Sequence, residues 1–308
     1  MEETILAIVN PVSAGGRTGK KWPKYFKKFQ SCGLSIKPVY TCYPGHATTI
    51  VRQGFKEGYK KVMAVGGDGT INEVVNGFFK GKDLINPEAR LIVFSRGTGS
   101  DFIKSLGITS KFKDIINIIK NGEVEFIDVG LVTYVTHKGN RDSRYFINLA
   151  DVGIGSETVY EVNKGDKVLG GPITYLLGLF KVLARYKNKV IKLIVDEKEI
   201  LNERINSIMV ANGKYFGGGI KIAPTASLRD GLFDLVVLKD LNRKEILSNL
   251  VKAFKGLHLS HPKVDSLSCQ KVIIDSGEQV LLEIDGESIG RLPATFEIIG
   301  RRLPVLLV

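Results

Sequence analysis

Val62-Met63-Ala64-Val65-Gly66-Gly67-Asp68-Gly69-Thr70-Ile71-Asn72-Glu73 is the stretch on which the fold turns. An apolar run of strand character enters a glycine-rich turn. Beyond it, Ile71, Val74, Val75, Phe78 and Phe79 fill positions i, i+3, i+4, i+7 and i+8 of an amphipathic helix. Outward from this βα unit, Ile5 to Val9, Ile36 to Tyr40 and Leu91 to Phe94 are further strand-like runs separated by helical stretches, and Ile115 to Ile119 lies in another helix. Strands alternating with helices imply right-handed βαβ units and a parallel sheet, which binds ligands beyond the carboxyl ends of its strands.

From about residue 124 the texture changes to strands with Gly, Asn and Asp turns: Phe126 to Val135, Tyr145 to Leu149, Lys192 to Val195, Ile208 to Val210, Phe233 to Leu238, Val272 to Ile274 and Val280 to Ile284. This reads as antiparallel β-structure, interrupted by helices around Ile173 to Tyr186 and Arg243 to Leu257. Two domains, with a boundary near residue 128 and the site in the cleft between them, are expected.

The 308 residues, 44% hydrophobic and 25% charged, suffice for a large core and exclude disorder. Cys32, Cys42 and Cys269 lack metal-site spacing and are odd in number, which argues against a disulfide framework or structural zinc. The start Met1-Glu2-Glu3-Thr4 shows no secretory pattern, and the most apolar window, Val168 to Ala184, contains Pro172 and Lys181, so a cytoplasmic protein is expected. The formal charge of +12 points to an anionic partner: nucleic acid, a phosphorylated metabolite or an acidic lipid surface. His46, His137, His258 and His261 lack convincing ligand spacing and are read as solvated or capping residues.

Glycines at the 66–70 turn admit close approach of phosphate oxygens to backbone amides, and the helix N-terminus adds partial positive charge. Asp68 would repel a bare triphosphate, so it fits a nucleotide accompanied by Mg²⁺ or a water network. The competing reading is a glycine-rich βα turn with a helix-capping Asp/Thr pair. No Walker loop exists, because Gly19-Lys20, Gly81-Lys82 and Gly213-Lys214 lack both the earlier glycine and the following Ser or Thr. Asp285-Gly286-Glu287 after an apolar run is equally a hairpin signature. Lys20, Lys21, Lys24, Lys27 and Lys28, with Trp22, Phe26 and Phe29, form a cationic amphipathic face: either a solvated helix surface or an attraction to an anionic bilayer. Lys181, Arg185, Lys187 and Lys189 around Tyr175 to Phe180 form a second such candidate.

Gly66-Gly67-Asp68-Gly69-Thr70 with Asn72-Glu73 and Asn76-Gly77 resembles the GGDGT-x-NE-x-x-NG block of the diacylglycerol kinase catalytic family. Asn10 to Gly16 resembles its first-strand loop, Gly97-Thr98-Gly99-Ser100-Asp101-Phe102 its GTxNDF loop, and Ala211-Asn212-Gly213 with Gly217-Gly218-Gly219 its glycine hairpin. Pro224, Ala226, Asp230-Gly231 and Asp285-Gly286-Glu287 complete the ordered set, which spans nearly the whole chain. Ser100 departs from the family's Asn, and Ser95-Arg96 stands where a proline is common; the amide's two-ended hydrogen bonding is lost.

The resemblance implies an α/β chain: a Rossmann-like nucleotide-binding domain over 1–128, joined by a C-terminal tail at 300–308, and a β-sandwich lipid-substrate domain over 129–299. It implies ATP contacts at Asn10, Ser13, Thr41, Gly66, Gly67, Asp68, Gly69, Thr70, Ile71, Asn72 and Thr98. Glu287 is implied as general base, with Asp285 helping to orient the site or metal, and Ser227, Asp230 and Leu232 as holders of a second, structural Mg²⁺; for that loop a plain Asp-Gly turn is the alternative. The expected activity is ATP- and Mg²⁺-dependent phosphorylation of diacylglycerol or a related lipid by a peripheral membrane protein. Two rivals remain, a nicotinamide-dinucleotide kinase sharing the GGDG turn and a non-catalytic nucleotide-binding module. The late Asp285-Gly286-Glu287 block argues against the first. Dispersed basic residues without stacking aromatics argue against nucleic acid. Oligomeric state, a homodimer included, stays open.

Overall fold

The computed structural model describes residues 3–97, 99–164 and 171–308. The chain divides into two compact units, Met1–Asp128 with Arg301–Val308, and Val129–Gly300.

The first unit runs β1 (Ile5–Val9), α1 (Arg17–Ser31), β2 (Ile36–Tyr40), α2 (His46–Lys56), β3 (Lys61–Gly66), α3 (Asp68–Phe78), a small β4 (Phe79–Lys80) and β5 (Asp83–Leu84) hairpin, β6 (Arg90–Ser95), α4 (Asp101–Leu106) and α5 (Phe112–Asn121). Its sheet is parallel in the order β2-β1-β3-β6, and Val305 of the returning chain pairs in parallel with Leu91. β1 is buried on both faces, as helices on either side of a parallel sheet require. In α3, Ile71, Val74, Val75 and Phe78 are fully buried, and so is the following Phe79. The helix packs closely on α2 because Gly77 carries no Cβ; one built there would lie 2.5 Å from Val51 Cβ. In α1 the aromatics Trp22 and Phe29 turn inward and join Phe94 and Phe112, while the five lysines face solvent. Trp22 and Phe29 are therefore core residues, and Phe26 is half-buried.

The second unit takes in most of β7 (Glu123–Thr136), then β8 (Arg141–Phe146), β9 (Leu149–Gly153), α6 (Ile154–Lys164), α7 (Gly171–Leu183), β10 (Lys189–Val195), β11 (Lys198–Ala211), β12 (Phe233–Lys239), α8 (Arg243–Phe254), β13 (Val264–Cys269), β14 (Lys271–Asp275), β15 (Leu281–Ile284) and β16 (Glu287–Leu307) up to Gly300. Its ladders are antiparallel, β13-β12-β11-β10-β14-β16, with β9 joining β11 to β15. Phe146, Phe233 and Phe296 centre its core. His258 departs from the solvated role expected for it: it is 1% exposed, and burial lowers its pKa. Among the described residues, no helix is long and apolar enough to cross a membrane.

Candidate functional site

The glycine turn of the first unit is braced from several sides. A Cβ on Gly66 would fall 2.4 Å from Thr70 Oγ1, so glycine here lets the buried Thr70 fold back beneath the turn. Asn10 Nδ2 donates to that hydroxyl at 2.9 Å, and Asn10 Oδ1 accepts the Val12 amide at 3.2 Å, tying the loop after β1 to the turn after β3. Ser13 Oγ lies 3.7 Å from where a Gly67 Cβ would stand. The loop after β6 touches the same turn, because a Cβ on Gly97 would sit 2.5 Å from Gly67 Cα. Thr41 follows β2, its amide donating to Val9 O at 2.9 Å. Thr98 lies outside the described residues.

The motif's two acidic residues cap helices other than their own. Asp68 Oδ2 and Oδ1 accept the Asp101 and Phe102 amides at 3.2 and 3.4 Å, which caps α4. Glu73 Oε1 and Oε2 accept the Gly45 and Ala47 amides at 2.8 and 3.1 Å, which caps α2. Asp68 therefore has a use inside the fold besides the metal or water expected of it. The N-cap of α3 is Gly67, which has no side chain to offer, so no side chain caps the first turn of α3, an arrangement that suits an anion. Ile71 is fully buried with its amide on Gly67 O, and Asn72 is 1% exposed with Oδ1 accepting from Asn76 Nδ2 at 3.1 Å. A cavity of about 190 Å³ beside Gly97 is lined by Arg17, Lys21, Arg96, Thr18, Ser95 and Ser110, a cationic and polar wall suited to negative charge.

The two family departures turn out to be one feature. Ser100 sits in the left-handed region at φ 54°, ψ 40°, and its Oγ lies 2.9 Å from Ser95 Oγ. An Asn would adopt that backbone more readily.

In the second unit, Asp285 and Gly286 both have positive φ, 46° and 84°, and join β15 to β16 as a two-residue hairpin in which Ile284 faces Glu287. The hairpin signature is therefore real. The Asp285 carboxylate accepts the backbone amides of Ile147 at 2.9 Å and of Asn148 and Leu149 at 3.0 Å each, anchoring the turn to the start of β9. Glu287 Oε2 receives Arg144 Nη2 at 2.6 Å, with both side chains partly exposed. Beneath the turn, Glu283 and Asp151 face each other across the β15–β9 ladder, fully buried. Burial pushes Asp151 up to about 8 and raises Glu283 well above the ordinary carboxylate range, with Asp151 adding to the second shift.

In the loop over 227–232, Asp230 Oδ1 accepts the Leu232 amide at 3.1 Å and Ser227 Oγ the Arg229 amide at 3.3 Å, so both side chains close local turns. Among the described residues, no three His, Cys, Asp or Glu side chains converge as a metal cluster. The donors at the glycine turn, backbone amides at a helix start with Ser13 beside them, fit phosphate oxygens. Asp68 adds one hard carboxylate, which is what Mg²⁺ asks of a protein when phosphates and water supply the rest. Sequence reasoning missed Arg144, whose partner Glu287 is 143 residues away, and Glu283, which accepts the Gly286 amide three residues on and faces Asp151 from a distant strand, and named Glu73 without a role.

Residues 4–132 match the diacylglycerol kinase catalytic domain family, and residues 149–307 match the YegS C-terminal NAD kinase beta sandwich-like domain family. The chain is similar to the diacylglycerol kinase of Staphylococcus carnosus, 30% identical over 297 residues covering 96% of this chain and 92% of that one. To the diacylglycerol kinase of Bacillus subtilis it is 30% identical over 303 residues, 97% and 95% of the two chains. A crystal structure of a diacylglycerol kinase from Bacillus anthracis superposes with a TM-score of 0.69 at 20% identity over 99% and 97% of the chains. Yeast NADH kinase complexed with NADH shares the fold more distantly, with a TM-score of 0.53 at 10% identity over 99% and 83%.

Proposed function

Because the chain belongs to the diacylglycerol kinase catalytic-domain family, we propose that it is an ATP- and Mg²⁺-dependent lipid kinase transferring the γ-phosphoryl group to the hydroxyl of diacylglycerol or a related lipid. The observation that carries this is the coexistence of an anion-ready glycine turn with a carboxylate turn clamped by backbone amides. Phosphoryl transfer asks a protein mainly for alignment and charge neutralisation. The amides of Gly67, Gly69 and Thr70 and the Ser13 hydroxyl would hold phosphate oxygens, and the family resemblance adds Thr41 and Thr98 as nucleotide contacts. Asn10 braces Thr70 beneath them. Asp68 would hold Mg²⁺, which when bound neutralises phosphate charge. Glu287 would orient the lipid hydroxyl and accept its proton late in the transfer, steadied by Arg144. Asp285 acts through the turn it anchors. A second Mg²⁺ would sit on the Asp230 carboxylate and the carbonyls of Ser227 and Leu232.

The lipid is expected to be met at an anionic membrane surface. Ile173, Leu177 and Phe180 lie exposed along α7, beside exposed Lys181 and Arg185. An apolar stripe with cations at its margin suits a bilayer interface. Labelled ATP supplied with diacylglycerol, sphingoid base, ceramide, phosphatidylglycerol and a nicotinamide dinucleotide in parallel tests the function. Label in a lipid, lost in Glu287→Ala with the fold retained, is the expected result. Label only in the dinucleotide, or in nothing, refutes it.

A further inference from the structure

We propose that Glu283 is a positioning residue for this reaction: by accepting the Gly286 amide it fixes the turn from which Glu287 reaches the substrate. The proposal rests on the reading of Glu287 given above.

A two-residue hairpin of this kind uses its flanking residues for the ladder and leaves the central amides to find other partners. Here both are satisfied. The Asp285 amide donates to Leu149 O at 2.9 Å, and the Gly286 amide donates to Glu283 Oε2 at 2.9 Å. The Gly286 carbonyl in turn accepts Asn163 Nδ2 at 3.4 Å. A bulge between Leu282 and Glu283 makes Glu283 pair with Ser288 while Leu282 pairs with Gly290. Bulges of this sort re-aim side chains beside functional residues.

Glu283 is also an unfavourable choice on packing grounds. It is 1% exposed and stands opposite Asp151, itself fully buried. The Asp151 carboxylate receives the Ser207 hydroxyl at 2.5 Å and occupies space that a Cβ on Gly155 would claim. Two carboxylates facing each other in a dry interior are strongly disfavoured, and an aliphatic side chain would fill the same place in β15 without that penalty. What an aliphatic residue lacks is an acceptor for Gly286. An amide supplies one: Gln has a carbonyl oxygen of similar reach and no charge.

Glu283→Gln and Glu283→Leu therefore separate the acceptor from the charge. In steady-state assays of the full chain with ATP and mixed-micelle lipid, Glu283→Gln is expected to keep kcat within about twofold. Glu283→Leu should lose kcat by about 10- to 100-fold, the effect of a small displacement of a reacting group, with KM for ATP within about twofold. Residue-resolved amide exchange provides a readout independent of activity, in which Gly286 exchanges faster in the Leu variant and not in the Gln variant. Should Glu283→Leu not fold by circular dichroism, Glu283→Met serves in its place. Wild-type kcat in the aliphatic variant, or equal protection of Gly286 in all three proteins, overturns the proposal. A wild-type enzyme that phosphorylates no lipid instead refutes the function, and Gly286 exchange still decides the role of Glu283.

Discussion

Replacing Asp285 separates an anchoring carboxylate from a metal-binding one. Its two oxygens accept the amides of Ile147, Asn148 and Leu149, all three residues buried. In Asp285→Asn, one oxygen in the Oδ1 place keeps the Asn148 and Leu149 bonds, while the NH₂ group confronts the Ile147 amide. Losing one charge-assisted bond and stranding a buried donor costs about 2–3 kcal/mol. Asp285→Ala strands three donors, at about 1–3 kcal/mol each, a sum comparable with the entire stability of an ordinary domain. With a urea dependence of about 2 kcal/mol/M, the Asn variant should unfold at a midpoint lower by about 1–1.5 M, and the Ala variant should be largely unfolded. The assay is urea titration followed by circular dichroism, together with hydrogen exchange of the peptide over 145–151, which should lose protection in Asp285→Asn. An Asn variant with an unchanged midpoint and unchanged exchange, yet a raised Mg²⁺ requirement, would show that the carboxylate serves a metal and that the anchoring argument is wrong.

Glu73→Gln should lower stability by about 1 kcal/mol in urea titration, since it removes charge from the α2 cap, while kcat stays within about twofold. Ser100→Asn places a residue tolerant of left-handed backbone where φ is 54°, and calorimetry should show a Tm raised by about 1–3 °C. The Asp151 carboxyl is raised from 3.8 to about 8, so the folded state retains a proton that the unfolded chain has already released. The stabilisation contributed by this group is thus fully present below about 3.8 and is lost as pH rises toward 8, with a slope of up to about 1.4 kcal/mol per pH unit for one proton. Asp151→Asn should flatten that slope in urea midpoints measured from pH 5 to 8, and an unaltered slope would disprove the assignment.

The parallel sheet of the first unit was legible because its strands are interior runs and α3 keeps strict 3.6-residue periodicity; every apolar position read from that helix is fully buried. The family resemblance, carried by short ordered blocks, also holds. β16 was missed as a strand because Pro293, Pro304 and two glycines break its pattern over 21 residues. α6 was hidden by Gly155 and Thr158, both weak helix formers; glycine is required at 155 because Asp151 occupies the space a side chain would need, and the Thr158 hydroxyl donates back to Ile154 O within the helix. The capping work of Glu73 could not be read locally, since the amides it serves lie 26 to 28 residues earlier in the chain. Arg144 meets Glu287 across 143 residues, and only the folded β-structure brings that pair together.

The return of the chain at Arg301 has a consequence for biosynthesis. Arg301 N bonds to Asp128 Oδ1 at 2.6 Å, and Val305 pairs with Leu91, so an edge of the first sheet is built from residues that a ribosome adds after the whole of the second unit. The earliest-made half therefore lacks the strand that pairs with Leu91 on its β6 border until translation delivers it.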